Sequence, residues 1–382
     1  AGAIVAFADY ANTFDTNKLT ITPNGTDKIA GTNDSASVTT EGASVTFVYV
    51  DSTQGWKQIN DATLNVIGES FITATGGTIT TCGNFKIHTF TGPGTFTVCS
   101  VGNTPAVNTV DYLVVAGGGG AGATPGNSGG GGGAGGLRFF ASPTCNPQSG
   151  PGAPRNAPAG IVVTATSFPI TVGGGGAPPG TGSDFSGPDG SNSVFSTITS
   201  AGGGGGGSGN PGAEPNINGK NGGSGGGGGG GNTVSTGGTG NTPPVSPAQG
   251  TNGGGNACGP ATPDHQSNGG GGAVAAGQPT QGSVGGNGGA GAGLTGFGSS
   301  NGQCSSCVQY FAGGGAAGRN TPTMSSNASG GLGGGGAPPG TASAAGSAGT
   351  ANTGGGGGGG TSPAGAGGAG GSGIVVIRYK FQ

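Results

Sequence analysis

The sequence predicts an all-β protein with no α-helix: small β modules on the N-terminal side, then a glycine-rich bundle of polyglycine-II helices clasped by flanking β-strands. Three observations carry that expectation. Between Gly117 and Gly373 the chain returns repeatedly to runs of four to seven glycines, and 103 of its 382 residues are glycine. Side chains cannot build an ordinary core from such material. Two strongly apolar strands frame the region: Tyr112-Leu113-Val114-Val115-Ala116 leads into the first run, and Ile374-Val375-Val376-Ile377-Arg378-Tyr379 follows the last. A flexible linker needs no such frame. Finally, no segment shows helical periodicity, whereas period-2 alternation recurs.

Composition narrows the alternatives. Only 30% of residues are hydrophobic and 6% charged, against about 45–50% and about 25% in an average globular domain. Collagen is excluded, because the glycines come in runs and not at every third position. Disorder usually accompanies high net charge, and here the formal charge is −3. That balance, with no basic stripe, offers nothing to a nucleic-acid backbone. No stretch approaches the ~18 apolar residues of a membrane-spanning helix, so no membrane insertion is expected. The chain opens at Ala1 without an initiator Met, inside an expected strand (Ala3-Ile4-Val5-Ala6-Phe7), which suggests a fragment or a processed product.

The first module is expected over 1–60. Leu19 and Ile21, then Val45, Phe47 and Tyr49, alternate with polar or smaller residues, and Pro23-Asn24-Gly25-Thr26 is a tight-turn signal. Trp56 closes it. A second β unit is expected over 61–116, with strands around Phe71-Ile72-Thr73, Thr78-Ile79-Thr80, Phe85-Lys86-Ile87-His88, Thr95-Phe96-Thr97-Val98 and the framing strand. The bundle occupies 117–373, and 374–382 is the closing strand.

Polyglycine-II geometry has three residues per turn and ~3.1 Å rise, so seven glycines span roughly 20 Å. Its N–H and C=O groups point outward in three directions, and neighbouring helices must satisfy them. Ala121, Ala134, Ser208, Ser224 and Ala290 are small enough to be admitted. Ile161-Val162-Val163 and Phe168-Pro169-Ile170-Thr171-Val172 read as strands. The Asn-, Pro- and Thr-rich stretches 210–221, 232–252 and 256–268 read as loops at the bundle ends, and Phe139-Phe140, Phe195 and Tyr310-Phe311 as packing residues that seal it.

Chemistry finds little support. His88 and His265 are the only histidines; alternation places His88 in solvent and His265 falls in a polar loop. Neither suits a nucleophile–base pair. Glycoside hydrolysis needs a carboxylate pair in a groove with aromatic platforms; Asp184, Asp189 and Glu214 are the acids in the middle of the glycine region, and a pair among them is open but unsupported. No enzyme, cofactor or metal site is expected. Of six cysteines, Cys304-Ser305-Ser306-Cys307 lacks a second pair or nearby histidines for zinc and leaves a local disulfide between Cys304 and Cys307, or two free thiols.

Several stretches together resemble the glycine-rich domain of tailed-bacteriophage fibre and adhesin proteins. They are Val110-Asp111-Tyr112-Leu113-Val114-Val115-Ala116-Gly117, Gly135-Gly136-Leu137-Arg138, Phe168-Pro169-Ile170-Thr171-Val172-Gly173, Ser193-Val194-Phe195-Ser196-Thr197-Ile198 and Gly373-Ile374-Val375-Val376-Ile377-Arg378-Tyr379, in that order. The likeness extends over roughly 69–382. Val5-Ala6-Phe7-Ala8-Asp9-Tyr10, Leu19-Thr20-Ile21 and Val45-Thr46-Phe47-Val48-Tyr49 resemble a β module of phage structural proteins, cyanophages especially, without its first strands. The resemblance implies a virion surface, extracellular protein that holds variable loops at the end of a polyglycine-II bundle against a host receptor. Its long Pro/Asn loops and six cysteines depart from that pattern.

The expected function is therefore binding by a rigid spacer, with a host cell-surface glycan or outer-membrane protein and neighbouring virion proteins as partners. A homo-oligomer is expected, a trimer by preference. Glu214, Asn216, Lys220, Asp264, His265 and Gln266 are the polar loop groups expected to meet a receptor. A purely structural filament or decoration-fibre subunit is the alternative, and an ice-binding bundle would need regular flat faces of Thr or Ala.

Overall fold

The computed structural model describes residues 2–59, 70–103, 105–124, 126–142, 155–179, 185–209, 216–231, 234–255, 267–281, 284–297, 301–306, 308–320 and 328–382. The chain divides into two units, Ala1–Ser70 with Gly102–Thr104, and Phe71–Val101 with Pro105–Gln382.

Five strands build the first unit: β1 (Ile4–Ala8), β2 (Leu19–Ile21), β3 (Ala36–Val38), β4 (Ser44–Asp51) and β5 (Gly55–Gln58). They form an antiparallel sheet of order β1-β4-β5 and a β2-β3 pair. Alternation on β4 turns Val45 and Phe47 inward onto Ile29, Ala36 and Val38. Gly55 sits at φ +69° beside the irregular β4–β5 register, and a Cβ there would lie 2.0 Å from the Lys28 carbonyl oxygen. Trp56 meets Tyr49 edge to face at 5.6 Å.

The second unit contains β6 (Thr73–Thr75), β7 (Thr78–Cys82), β8 (Phe85–Phe90), β9 (Gly94–Ser100), β10 (Thr109–Val115), β11 (Leu137–Phe140), β12 (Ile161–Val162), β13 (Ser167–Thr171), β14 (Ser193–Phe195), β15 (Ile198–Ser200), β16 (Ala292–Leu294), β17 (Gln303–Ser305), β18 (Val308–Phe311) and β19 (Ile374–Lys380). One sheet runs β11-β10-β19-β8-β7, with β12 also on β10. A second runs β15-β14-β13-β9-β6 and a third β16-β18-β17. Strands read from sequence as a separate unit over 61–116 are thus bonded into the same sheets as strands from inside and beyond the glycine region. The two framing strands pair directly and antiparallel, from Asp111↔Arg378 to Val115↔Ile374.

Both faces of that central sheet are covered. Val110, Tyr112, Val114, Val375, Ile377 and Tyr379 pack with Phe96, Ile170 and Phe195 on one side. Leu113, Val115, Ile374 and Val376 pack with Leu137, Phe139, Leu294 and Phe311 on the other. This double cover corrects the expectation for His88, which is fully buried. Its neighbour Ile87 belongs to the second core, while His88 faces the first, against Phe96 and Tyr379. On a strand covered on both faces, alternation no longer separates inside from outside.

The glycine region is a polyglycine-II bundle, and segment 129–136 shows its geometry. Backbone N–H groups of Gly129, Gly132 and Gly135 donate to Gly360, Gly357 and Gly354; those of Gly130, Gly133 and Gly136 to Gly207, Gly204 and Ala201; those of Gly131 and Ala134 to Asn268 and Gly271. Every third residue therefore addresses the same neighbour, as a threefold helix requires. Falling partner numbers mark antiparallel neighbours and rising ones a parallel neighbour. Its carbonyls accept from three more segments, through Gly318 and Gly315, Gly122 and Gly119, and Gly227 and Ser224. Six neighbours surround this one helix, and the backbone is its own core. Interior space is correspondingly short: a Cβ on Gly131 would lie 2.1 Å from the Gly315 oxygen, and one on Gly132 2.1 Å from that of Gly119.

Parts of the stretches expected as loops are in fact bundle helices. Within 216–222, Gly219 N–H donates to Thr236 and Lys220 N–H to Gly205; within 250–255, Gly253 N–H donates to Gly238. A local reading of Asn and Thr as turn formers cannot register a neighbouring helix that supplies their hydrogen bonds.

Candidate functional site

Segments of the bundle run alternately away from the central sheet and back to it. At the end remote from the sheet, hydrogen bonds tie the described ends of several segments together. Asn127 N–H donates to Gly209 and Gly230 N–H to Ser128. Ser208 N–H donates to Asn216, and the Ser267 hydroxyl to Gly129. Thr124 Oγ1 donates to the carbonyls of Thr361 and Gly365, and Ser362 Oγ to that of Gly126. Hydroxyls here replace the backbone partners that a terminating helix loses.

Asn216 stands at this remote end, partly exposed, and its carbonyl holds Ser208. Lys220 lies one turn further along, also partly exposed, with its backbone between Gly205 and Gly226. Glu214, Asp264, His265 and Gln266 lie outside the described residues. The described positions that flank them, Gly209 and Asn216 for the first and Ser267 for the others, all belong to this remote end. Cys304 is a free, exposed thiol on β17, and Cys307 lies outside the described residues.

A set of residues that sequence reasoning missed lies along the flank. Six Asx-Gly dipeptides make one recurring contact, in which Asx Oδ1 accepts a backbone N–H from an adjacent segment. Asp189 takes that of Gly205 (2.8 Å), Asn218 that of Thr236 (2.8 Å) and Asn221 that of Thr239 (2.7 Å). Asn252 takes Gly240 (2.9 Å), Asn268 Thr280 (3.1 Å) and Asn287 Ser329 (2.7 Å). The following glycine donates its own N–H to the same neighbour: Gly190 to Gly203, Gly219 to Thr236, Gly222 to Thr239, Gly253 to Gly238, Gly269 to Gln278 and Gly288 to Ser329. In each case the side-chain oxygen substitutes for a backbone carbonyl; five of the six side chains are exposed or partly exposed, and Asn268 is buried against Gly228 and Ser235. Spacing carries a trace of this device, since Asn218 and Asn221 are three residues apart on one face.

Electrostatics at the flank are quiet. Asp189 and Lys220 are the charged side chains among the described residues of 185–209 and 216–255. Among the described residues no group of three His, Cys, Asp or Glu side chains is arranged to hold a metal, and no helix is long and apolar enough to cross a membrane. In the first unit a cleft of about 260 Å³ is lined by Val5, Phe7, Ile21, Phe47 and Trp56, with Asn24 and Asp27 at its polar side.

The buried histidine has a defined tautomer. Its Nδ1 lies 2.7 Å from the Gly76 carbonyl oxygen and must donate to it, so Nε2 accepts from the Tyr379 hydroxyl at 3.1 Å. Burial lowers its pKa, the Lys86 charge acts the same way and the Gly76 bond opposes them. Burial pushes the Tyr379 phenol up to about 12. This is core chemistry, away from any open surface.

No curated protein matches the chain. The family model described as a glycine-rich domain matches residues 89–380, which takes in the central strands, the whole bundle and the closing strand. The chain belongs to the glycine-rich domain family.

Proposed function

We propose that this chain is a binding module of a bacteriophage virion surface fibre, in which the polyglycine-II bundle is a rigid spacer and the connections at its remote end meet the host surface. The observation that carries the reading is the serpentine course of the bundle. The closing and opening strands lock one end, so sequence can change at the other without disturbing the lattice. Asn216 and Lys220 reach solvent at or near that end.

The test is competition for adsorption. Purified chain is expected to block attachment of the virion to its host. A variant with all six residues changed to Ala, and an unchanged melting temperature, is expected to lose that block. Equal blocking by the variant, or none by the wild type, would sink the reading.

One observation favours a structural filament subunit as the second reading. Strand β1 lies at a sheet edge, carries no charge or proline, and leaves Ile4 65% and Val5 39% exposed, an edge open to strand pairing with another chain. Cryo-EM of the assembled particle separates the two. Three copies at a fibre tip support the binding module; an end-to-end polymer joined through β1 supports the filament.

A further inference from the structure

The Asx-Gly contacts gather into a row that crosses adjacent outer segments of the bundle. Asn221 on 216–222 is bonded to Thr239 on 234–241, and Asn252 on 250–255 to Gly240 beside it. Asn252 in turn accepts through its carbonyl from Gly277, next to Gln278. Gln278 Oε1 accepts from Asn287 Nδ2 at 2.9 Å, and Asn287 Oδ1 accepts from Ser329 N–H. Asn221, Thr239, Asn252 and Gln278 are all exposed. One turn along, about 9 Å away by the rise of the helix, Asn218 repeats the backbone contact with Thr236, whose hydroxyl there donates to Asn218 Oδ1.

Three properties of the row point to its ligand. The side chains are fixed before any ligand arrives, because each Asn spends Oδ1 on a neighbouring backbone N–H; little rotamer freedom remains to be lost on binding. Their remaining groups are donors and hydroxyls: Nδ2 of Asn221 and Asn252 and Oγ1 of Thr239 have no partner to which they donate among the described residues. The surface is uncharged, Lys220 being the one charged side chain among the described residues of these segments. Such a surface recognises a long, neutral, hydroxyl-bearing chain that can touch several helices in succession. We propose that the row binds a neutral polysaccharide lying across the segments. The proposal rests on the reading of the chain as a surface-binding module and moves the contact from the remote end to the flank. With no cavity and no aromatic platform in the row, single-chain affinity is on the order of millimolar, and strength comes from repeated contacts along a polymer.

Affinity gel electrophoresis of the full chain through soluble dextran or galactomannan, with dextran sulfate as the charged comparison, reads the interaction directly. Retardation by a neutral polymer is expected. The N221D/N252D variant keeps the lateral bond, since the carboxylate of Asp189 already makes it to Gly205, but exchanges the amide donor for a negative oxygen. It is expected to melt with the wild type and to bind at least tenfold more weakly. T239V removes a hydroxyl whose backbone alone holds the lattice, and a threefold loss is expected there. Retardation by dextran sulfate alone, by no polymer, or equally in both variants would overturn the proposal and leave the row a structural stitch. If neutral polymers retard the chain while adsorption is unaffected by it, the flank site stands and the virion reading falls.

Discussion

At Gly131 a Cβ would lie 2.1 Å from the carbonyl oxygen of Gly315 and 2.6 Å from its carbon. At Gly174, on an outer segment, an added Cβ would meet nothing within 4 Å. Helices cannot move apart around Gly131, because 129–136 is bonded on all sides. Gly131→Ala is therefore expected to cost about 3 kcal/mol or more, or to prevent folding, whereas Gly174→Ala should change stability by less than about 0.5 kcal/mol. Chemical denaturation of the pair checks this, and equal costs would contradict a close-packed interior.

His88 carries a pH dependence of known sign. Its folded pKa lies below the unfolded value of about 6.5, so the unfolded chain binds the extra proton. The stability of a neutral His88 is fully present above about pH 6.5 and is lost as pH falls toward the folded pKa. Melting temperatures measured from pH 8 to pH 5 should decline through the lower half of that range. His88→Leu should flatten the decline attributable to this group, at a constant cost of about 1–3 kcal/mol for taking the imidazole's bonds from the Gly76 carbonyl and the Tyr379 hydroxyl proton.

Among the elements, the clasp of β10 and β19 carries a buried ion pair. Arg378 donates to Asp111 Oδ2 through Nε at 3.1 Å and Nη2 at 2.5 Å, to the Gly296 carbonyl through Nη1 at 3.0 Å, and lies over the rings of Phe85 and Phe297. Asp111 also accepts the Ser142 N–H, so both partners are buried with several bonds each. Asp111→Ala strands a guanidinium in the core and is expected to cost about 3–5 kcal/mol. Replacing both by Leu should cost less than that single change, since no charge is left alone; a double variant that is less stable than the single would contradict this account. The clasp strands were legible in sequence because large apolar residues run unbroken from Tyr112 to Val115 and from Ile374 to Ile377. The burial of His88 was hidden, since it depends on a second sheet that begins as far away as Thr73 and Ser167. The stretches 210–221 and 232–252 read as loops for a related reason: Asn, Pro and Thr locally favour turns, and only a helix alongside gives Asn221 or Asn252 its lateral partner.

Across the whole molecule the lattice has to stop, and its perimeter shows how. Ala342, Ala345 and Ala348 are exposed at three-residue intervals on one segment, and Ala366 is exposed on the segment beside it. Within the bundle a Cβ would typically sit near 2 Å from a neighbouring carbonyl, as at Gly132, so an exposed alanine row keeps a further helix from closing to lattice distance. The backbone pattern beneath follows. Ser343, Gly346 and Gly349 donate to Ser362, Ala366 and Ala369, and Ser347 and Thr350 donate to Ala337 and Gly334. Ala344 donates to Thr361 Oγ1, whereas Ala345 and Ala348 have no acceptor among the described residues. Amide hydrogen exchange resolved to single residues should therefore be fast at 345 and 348 and slow at 346, 347, 349 and 350, a period of three. Along 129–136 every amide should exchange slowly, through opening of the whole bundle. Alternation with a period of two would mean a β-edge at 343–350, and uniformly fast exchange at 129–136 would mean that the glycine runs do not form a lattice in solution.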